Sequence, residues 1–345
     1  MNNKILIVGP SFFGYTASIA NSFLKKGFIT KVVEYKYVYT FKEKIISMWK
    51  SVFGVKKKVI PSKKTLNRIS NEIIDIYIEF NPKYVLCINC EIFDDDLFRT
   101  FNKSINFLWA LDLIERYPQI ENSFKYFDEI FFYDKHDAEI YKKIGFNTSF
   151  LPDFYDDSKF FYMPDSKKKI DILVIGAMYK NRYLVLKQLI KDFPDLNIKI
   201  YGCYIRKMEI LKRIKWLISG DYKHFTNKNV DLENANILTN MSKISINIQY
   251  EKAKYSANMR FFEIASTKTF QIVNENDYFL NELNNVNCYS NYDELKKLIE
   301  EFLFNENKFK DNIESLYTNV KQNHKVENRV QVLMDHFLKN NNERK

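Results

Sequence analysis

Short runs of consecutive apolar residues alternate along the first half of the chain with segments whose apolar positions recur every three or four. The runs Ile5–Val8, Lys31–Tyr35, Tyr84–Asn89, Asn106–Leu111, Glu129–Tyr133 and Ser149–Leu151 are short and largely apolar at successive positions. Strands of a parallel sheet covered on both faces read this way. Between them, Thr16–Lys26 and Leu66–Phe80 carry helical spacing. This order predicts an α/β doubly wound sheet. The pattern breaks at Asp153–Lys169, "DFYDDSKFFYMPDSKKK", a polar, proline-bearing stretch that reads as a linker. A second alternation follows, with strands expected at Asp171–Ile175, Ile198–Gly202, Ser245–Ile248 and Thr269–Val273. Its helices are expected at Tyr183–Lys191, Met208–Leu217, Met259–Ser266 and Tyr292–Phe304, with a last one over about Asn328–Leu338.

The pattern therefore predicts two Rossmann-like domains, residues 1–155 and 156–325, with 326–345 a C-terminal helix and tail packing back on the first. Ligands of such sheets meet the C-terminal ends of the strands, here in a cleft between the domains. There is no internal sequence repeat.

Composition agrees with a globular chain: of 345 residues, 46% are hydrophobic and 16% aromatic, too apolar for a disordered one. No apolar run approaches the ~18–20 residues of a membrane span. The N-terminus, "MNNKILIVGP", reads as a strand entering a glycine turn rather than a signal peptide, which predicts a cytoplasmic protein. Four cysteines in a chain this long are not a disulfide framework. Cys87 and Cys90 form C-x-x-C, a spacing open to redox or zinc chemistry. Set inside a strand, the two side chains would face opposite ways, which favours small buried thiols.

The net charge of +10 is concentrated: Lys36–Arg68 holds ten Lys/Arg against Glu43 alone. Within it, Phe41, Ile45, Ile46, Met48, Trp49, Val52 and Phe53 recur at helical spacing among lysines. A cationic amphipathic helix of this kind fits an anionic membrane surface, and equally a helix packed on the protein with its lysines in water. Nucleic acid is the weakest of the three readings, because no binding module accompanies the charge. A second basic stretch, "RKMEILKRIKW" at Arg206–Trp216, would extend a lipid-facing patch.

Several motifs fall short of a specific chemistry. The first turn, "GPSFFGYT", has the glycine spacing of a phosphate loop but Tyr15 in place of its lysine. Gly14 would instead let that loop approach the cleft. Asp94 and Asp96 form D-x-D, open to a hard cation or to capping of the next helix. The four histidines lack metal-site spacing, and no G-x-S-x-G elbow is present.

More specific is "SANMRFFEIASTKTFQIVNE", Ser256–Glu275. Arg260 and Glu263 share a helix face there. The block "NMRFFE" matches an R-x-F-E motif. "DILVIGAMYKNRYLVLKQL" matches a strand ending in glycine, Gly176, before a loop arginine, Arg182. Together with "ANILTNMSKISINIQ", "NYDELKKLIEEFL" and "NHKVENRV", these blocks resemble the donor half of the CgeB-like glycosyltransferases, of the GT-B fold. "FDEIFFYDKHDAEIYKKIGFNTSFLPDFYDDSKF" resembles that family's approach to the crossover between domains. The resemblance covers about Tyr84 to Leu338. It departs at "STKT", where Lys268 stands among residues that are small or glycine in the family. Lys268 either adds a phosphate contact or crowds the loop.

The resemblance implies transfer of a sugar from a nucleotide diphosphate sugar to a surface-glycan or lipid-linked acceptor, peripheral to the inner face of a membrane, with no cofactor. Without a metal, a diphosphate leaving group needs cations and helix N-termini, and arginine suits phosphate by its planar fork. The expected donor-site residues are Gly14, Gly176, Tyr179, Arg182, Asn258, Arg260, Glu263 and Lys268, with Tyr179 stacking on the base and Glu263 accepting from the ribose. On the acceptor side, a base is needed if the reaction inverts. Asp112 is the first candidate and Glu91 the second; otherwise Asp112 caps the next helix. Two other readings share the fold: a non-catalytic nucleotide- or sugar-binding protein of a glycan assembly complex, and a nucleotide-sugar epimerase.

Overall fold

A computed structural model describes residues 3–11, 14–35, 62–202, 214, 216–220 and 223–343. Residues 36–61, Cys203 and most of the basic stretch 206–216 lie outside the described residues. The helix expected over Met208–Leu217 therefore does too, except that Ile214, Trp216 and Leu217 are helical.

Contacts divide the chain into two compact units. The first gathers the described residues up to Asp153 and those from Lys325 on; the second spans Phe154–His324. Unit one runs β1 (Lys4–Pro10), α1 (Tyr15–Lys25), β2 (Ile29–Tyr35), α2 (Lys63–Phe80), β3 (Tyr84–Ile88), α3 (Asp95–Thr100), β4 (Ile105–Ala110), β5 (Glu129–Phe132), α4 (Lys135–Lys143) and β6 (Thr148–Phe150). Its strands pair in parallel in the order β2-β1-β3-β4-β5-β6. Ile5, Leu6, Ile7 and Val8 are each fully buried, so β1 is covered on both faces, as its unbroken apolar run requires. Helix α2 buries Thr65, Ile69, Ile73 and Tyr77, four residues apart on one stripe. Ser62 caps its start, accepting from Thr65 N at 3.4 Å.

Unit two runs β7 (Ile170–Ile175), α5 (Lys180–Asp192), β8 (Ile198–Tyr201), α6 (Leu232–Asn240), β9 (Ser242–Asn247), α7 (Met259–Ala265), β10 (Phe270–Asn274), α8 (Asp277–Asn281), β11 (Asn287–Tyr289), α9 (Tyr292–Phe304) and α10 (Lys310–Asn323). The order is β11-β10-β9-β7-β8, again parallel. One sheet face puts Ile172, Val174, Ile244, Ile246, Phe270 and Ile272 into a core with α5 and α9. The alternate positions on the other face include Ser245, Asn247 and Gln271, beneath α6 and α7.

The last helix, α11 (Val326–Glu343), belongs to unit one. Phe337 stacks on Phe107 with centroids 4.1 Å apart. Arg329 Nε donates to Pro152 O at 2.7 Å. The buried Glu129 carboxylate accepts from Ser149 Oγ at 2.7 Å and lies 2.9 Å from His336 Nδ1.

In each sheet one strand has its successor on one side and the next strand on the other: β1 between β2 and β3, and β7 between β8 and β9. Chain direction across the sheet reverses at these points. In open α/β sheets, ligands bind at such points, beyond the strands' C-terminal ends.

Candidate functional site

At the reversal of the second sheet, the chain leaves β7 through Gly176 and enters α5 through Tyr179, its N-cap residue. Two glycines let backbone close up here. A Cβ on Gly202, just past β8, would lie 1.9 Å from Gly176 O, and a Cβ on Gly176 would lie 3.0 Å from Arg182 Nη1. Arg182, half-buried in the first turn of α5, donates from Nη1 to Ala177 O and from Nη2 to Ile248 O. It thereby joins the loop after β7 to the loop after β9. Burial pulls the guanidinium pKa below its ordinary value, opposed by the phenols of Tyr179 and Tyr289. The Arg182 guanidinium carbon lies 5.5 Å from the Tyr179 ring, which is 6.3 Å from the ring of Tyr250. Tyr179 makes no capping bond with its side chain, so the first-turn N–H groups of α5 point at the same edge without one.

Side-chain amides hold the loop after β9. Gln249 N donates to Asn274 Oδ1 at 2.6 Å, and Gln249 Oε1 accepts from Asn258 N at 2.9 Å. Asn258 caps α7, accepting from Phe261 N at 2.9 Å and from Asn247 Nδ2 at 3.0 Å. Asn276 Nδ2 donates to Ser256 O at 2.8 Å. Sequence reasoning found Asn258 and missed Gly202, Asn247, Gln249, Asn274 and Asn276. The signal was there, as polar amides ending apolar strands in "INIQY" and "IVNEN".

Arg260 and Glu263 share a face of α7 as their spacing requires, with Nη1 3.4 Å from Oε2. Arg260 Nη2 donates to Thr239 Oγ1 at 2.5 Å, and the guanidinium carbon lies 5.8 Å from the Phe160 ring. Only 12% of the Arg260 side chain and 4% of that of Glu263 are exposed. As an ion pair this is therefore not the solvated kind worth tenths of a kcal/mol; uncoupling a buried pair costs about 3–5 kcal/mol. Thr239 precedes β9, and its carbonyl accepts from Thr269, which precedes β10. Arg260 thus reaches toward the N-terminal ends of these strands, while Arg182 sits at the C-terminal ends.

Lys268 is placed elsewhere in unit two. Its Nζ bonds Glu314 Oε1 at 2.9 Å and Oε2 at 2.6 Å, and lies over the rings of Tyr317 and Tyr162. Its backbone is left-handed, φ 54, at a position that favours glycine.

In unit one, Gly14 (φ 69) precedes α1, and its carbonyl accepts from Ser18 N and Oγ. Glu91 is buried just past β3, and its carbonyl accepts from Gln119 Nε2 at 3.2 Å. Asp112 follows β4. It accepts from Leu113 N at 2.9 Å and pairs with Arg116 Nη1 at 2.6 Å, which occupies the carboxylate locally. Sequence reasoning missed a neighbour, Asp137, in the first turn of α4. Its Oδ2 accepts from Ile114 N at 3.2 Å. Burial pushes its carboxyl up to about 6, helped by Asp134 and Glu115 and opposed by the Ile114 N–H and His136.

Two expectations change in detail. Strand β3 ends at Ile88, and Asn89 and Cys90 are both left-handed, φ 56 and 58. The turn brings Cys90 back to side-chain contact with Cys87 instead of to the opposite face; both thiols are fully buried, and burial raises that of Cys90. In D-x-D, Asp94 and Asp96 are exposed at the start of α3, while the intervening Asp95 bonds Ser123, Tyr126 and Lys125. Among the described residues, no group of three or more His, Cys, Asp or Glu is placed to hold a metal ion.

Residues 182–335 match the protein family described as glycosyl transferase-like. No curated protein matches the chain. Among solved structures, the sucrose-phosphate synthase of Thermosynechococcus elongatus is similar at TM-score 0.72 and 9% identity, over 98% of each chain. HepE of Anabaena, solved with UDP-glucose, is similar at TM-score 0.66 and 7% identity, over 97% of this chain and 99% of that one. The UDP-GlcNAc 2-epimerase of Neisseria meningitidis is similar at TM-score 0.57 and 12% identity, over 97% and 100%. At such identities the likeness shows the fold alone: two Rossmann-like α/β units, the GT-B arrangement of sheets.

Proposed function

We propose that the protein is a metal-independent glycosyltransferase of the CgeB-like kind, taking a nucleotide diphosphate sugar as donor and a surface-glycan or lipid-linked acceptor. The observation that carries this reading is Arg182 at the strand reversal of the second sheet. Its fork is fixed by two main-chain carbonyls beside the N-terminus of a 13-residue helix. Arginine has five N–H donors and two are used here, so the group remains able to meet phosphate oxygens. The helix N-terminus favours the same charge. A leaving diphosphate held there needs no further cation. The family match begins at Arg182 and covers β8 to β11 of the second sheet.

Titration with UDP, GDP and dTDP tests the donor site: Arg182→Ala should weaken the nucleotide that binds by about tenfold or more, about 1.4 kcal/mol. Unchanged affinity in Arg182→Ala, Arg260→Ala and Glu263→Ala would reject it. A screen of nucleotide sugars for hydrolysis, with and without a chelator, names the donor and tests metal independence together. Retained nucleotide binding without hydrolysis or transfer would favour the non-catalytic reading. The likeness to an epimerase fold supports a second reading, and inversion at the sugar without release of nucleotide would establish it. The charge of 36–68 supports a cytoplasmic protein docked on an anionic membrane surface. Salt-sensitive binding to anionic vesicles is the expected result; equal partition to neutral ones would sink it.

A further inference from the structure

The first turn of α5 contains no acidic residue, although its N–H groups and dipole favour one. A carboxylate reaches it from another loop. Asn181, the second residue of the helix, donates from Nδ2 to Glu251 Oε2 at 3.2 Å, across 70 residues of sequence. Glu251 stands in the loop between β9 and α7, shortly after Ile248, whose carbonyl accepts from Arg182. Its neighbour Tyr250 lies beside Tyr179, the N-cap residue. Tyr179, Asn181 and Arg182 at the helix start thus each meet one residue of that loop: Tyr250, Glu251 and Ile248. These contacts carry the Glu251 carboxylate to the edge where the proposed donor site places a diphosphate. Asn181 and Glu251 are both exposed, and so open to a ligand.

An anion site with a fixed anion at its lip does not treat all phosphates alike. In glycosyl transfer the bond between the anomeric carbon and the β-phosphate oxygen breaks, and the oxygen keeps the electron pair. A bond forms from the anomeric carbon to the acceptor oxygen, and the acceptor hydroxyl gives up its proton. The nucleotide therefore leaves with a terminal phosphate bearing about one negative charge more than the esterified one it arrived with, since the second ionisation of a phosphate monoester falls near about pH 6. Arg182 and the helix N-terminus attract both forms. Repulsion from Glu251 grows with ligand charge, so it falls hardest on the product.

We infer that Glu251 is a specificity-determining residue: it makes the start of α5 favour the esterified diphosphate of a donor over the free diphosphate of the spent nucleotide, and so hastens product release. This rests on the proposed donor site, in which the diphosphate meets Arg182 and the N-terminus of α5. Glu251→Gln isolates the charge, because the amide oxygen still accepts from Asn181 Nδ2. Lys252 and Lys254 follow on the same loop in both proteins and leave the comparison unaffected.

The test uses the full chain, whichever of UDP, GDP or dTDP the wild type binds, and the β-phosphate methyl ester of that nucleotide, which has one charge fewer and no sugar. Titrations are run near about pH 7.5, above the second phosphate ionisation. At low salt Glu251→Gln is expected to lower Kd for the free diphosphate by about threefold more than for the ester. The difference should shrink as salt is raised. Glu251→Asp keeps the charge and should keep the wild-type preference. Thermal midpoints check that the variants fold. A Glu251 that serves only the helix dipole would shift the two Kd values equally or not at all, and that result overturns the inference. Weaker binding of both ligands in Glu251→Gln also overturns it, because the carboxylate would then accept hydrogen bonds from the nucleotide. In either case the donor site stands if Arg182→Ala still weakens binding. Unchanged affinity in Arg182→Ala, Arg260→Ala and Glu263→Ala overturns the donor site and the inference with it.

Discussion

Arg182 donates to the main-chain carbonyl of Ile248, so that one side chain from α5 joins the loops leaving β7 and β9. Arg182→Ala removes the donor for two carbonyls, Ala177 O and Ile248 O, and should destabilise unit two by about 1–3 kcal/mol. Arg182→Lys keeps the charge and loses the planar fork. It should recover part of the nucleotide affinity and little of the stability. Urea unfolding and titration on the same three proteins check both; recovery of both by lysine would mean that charge alone matters.

Gly202 and Gly176 differ in what a methyl group would strike. At Gly202 it meets the Gly176 carbonyl oxygen, a backbone atom, and at Gly176 it meets the end of the Arg182 side chain. Gly202→Ala should therefore lower stability by about 1–3 kcal/mol or more, since two strand ends must part. Gly176→Ala should be milder in stability and stronger in nucleotide affinity, because the arginine gives way. Chemical denaturation and titration of the two variants distinguish them; equal losses of stability would contradict the contact geometry.

The fold was legible because its strands are buried on both faces. Ile5–Val8, an unbroken apolar run, lies inside β1, while Ser245–Ile248 overlaps β9 and Thr269–Val273 overlaps β10, each with apolar residues on one face and mostly polar ones on the other. Strand β11 was not legible: it is three residues, "NCY", with too few apolar positions to show a period. Helix α10 was hidden because its N-cap is Phe309, which makes no capping bond, and only a short 3-10 turn separates it from α9. The candidate site was legible where a residue type announces its chemistry, as at Arg182, and not where chemistry comes from placement. Nothing in the polarity of "DKHDAEI" around Asp137 distinguishes it from its neighbours; its raised carboxyl comes from packing under the loop at Ile114. Arg260 was found as a residue, but its burial against Thr239 and Phe160 depends on segments far away in sequence.

That burial sets how the pair responds to mutation. Arg260→Met should leave Glu263 buried and uncompensated and destabilise by about 3–5 kcal/mol, as should Glu263→Leu by leaving the guanidinium. The double variant Arg260→Met/Glu263→Leu should lose clearly less than the sum, since it leaves neither charge behind. A double-mutant cycle in urea measures this. Additive losses would show that the two side chains act independently despite their 3.4 Å approach.

Asp137 predicts a pH dependence of stability. Its carboxyl is raised from an ordinary 3.8 to about 6, so between these values the folded protein holds the proton more tightly than the unfolded chain. A group of this kind leaves stability intact below about pH 4, removes it progressively as pH rises toward about 6, and removes no more above that. Asp137→Asn keeps an acceptor for the Ile114 N–H and carries no charge. It should match wild type near about pH 4 and exceed it by on the order of 1–2 kcal/mol above about pH 7, allowing for partial exposure of the site. Asp134, His136 and Glu115 surround the position in both proteins, so their own contributions largely cancel in the difference. Urea unfolding of both proteins across this range gives the gap directly. A gap that stays flat with pH would mean that packing beneath the Ile114 loop does not hold the carboxyl in its protonated form.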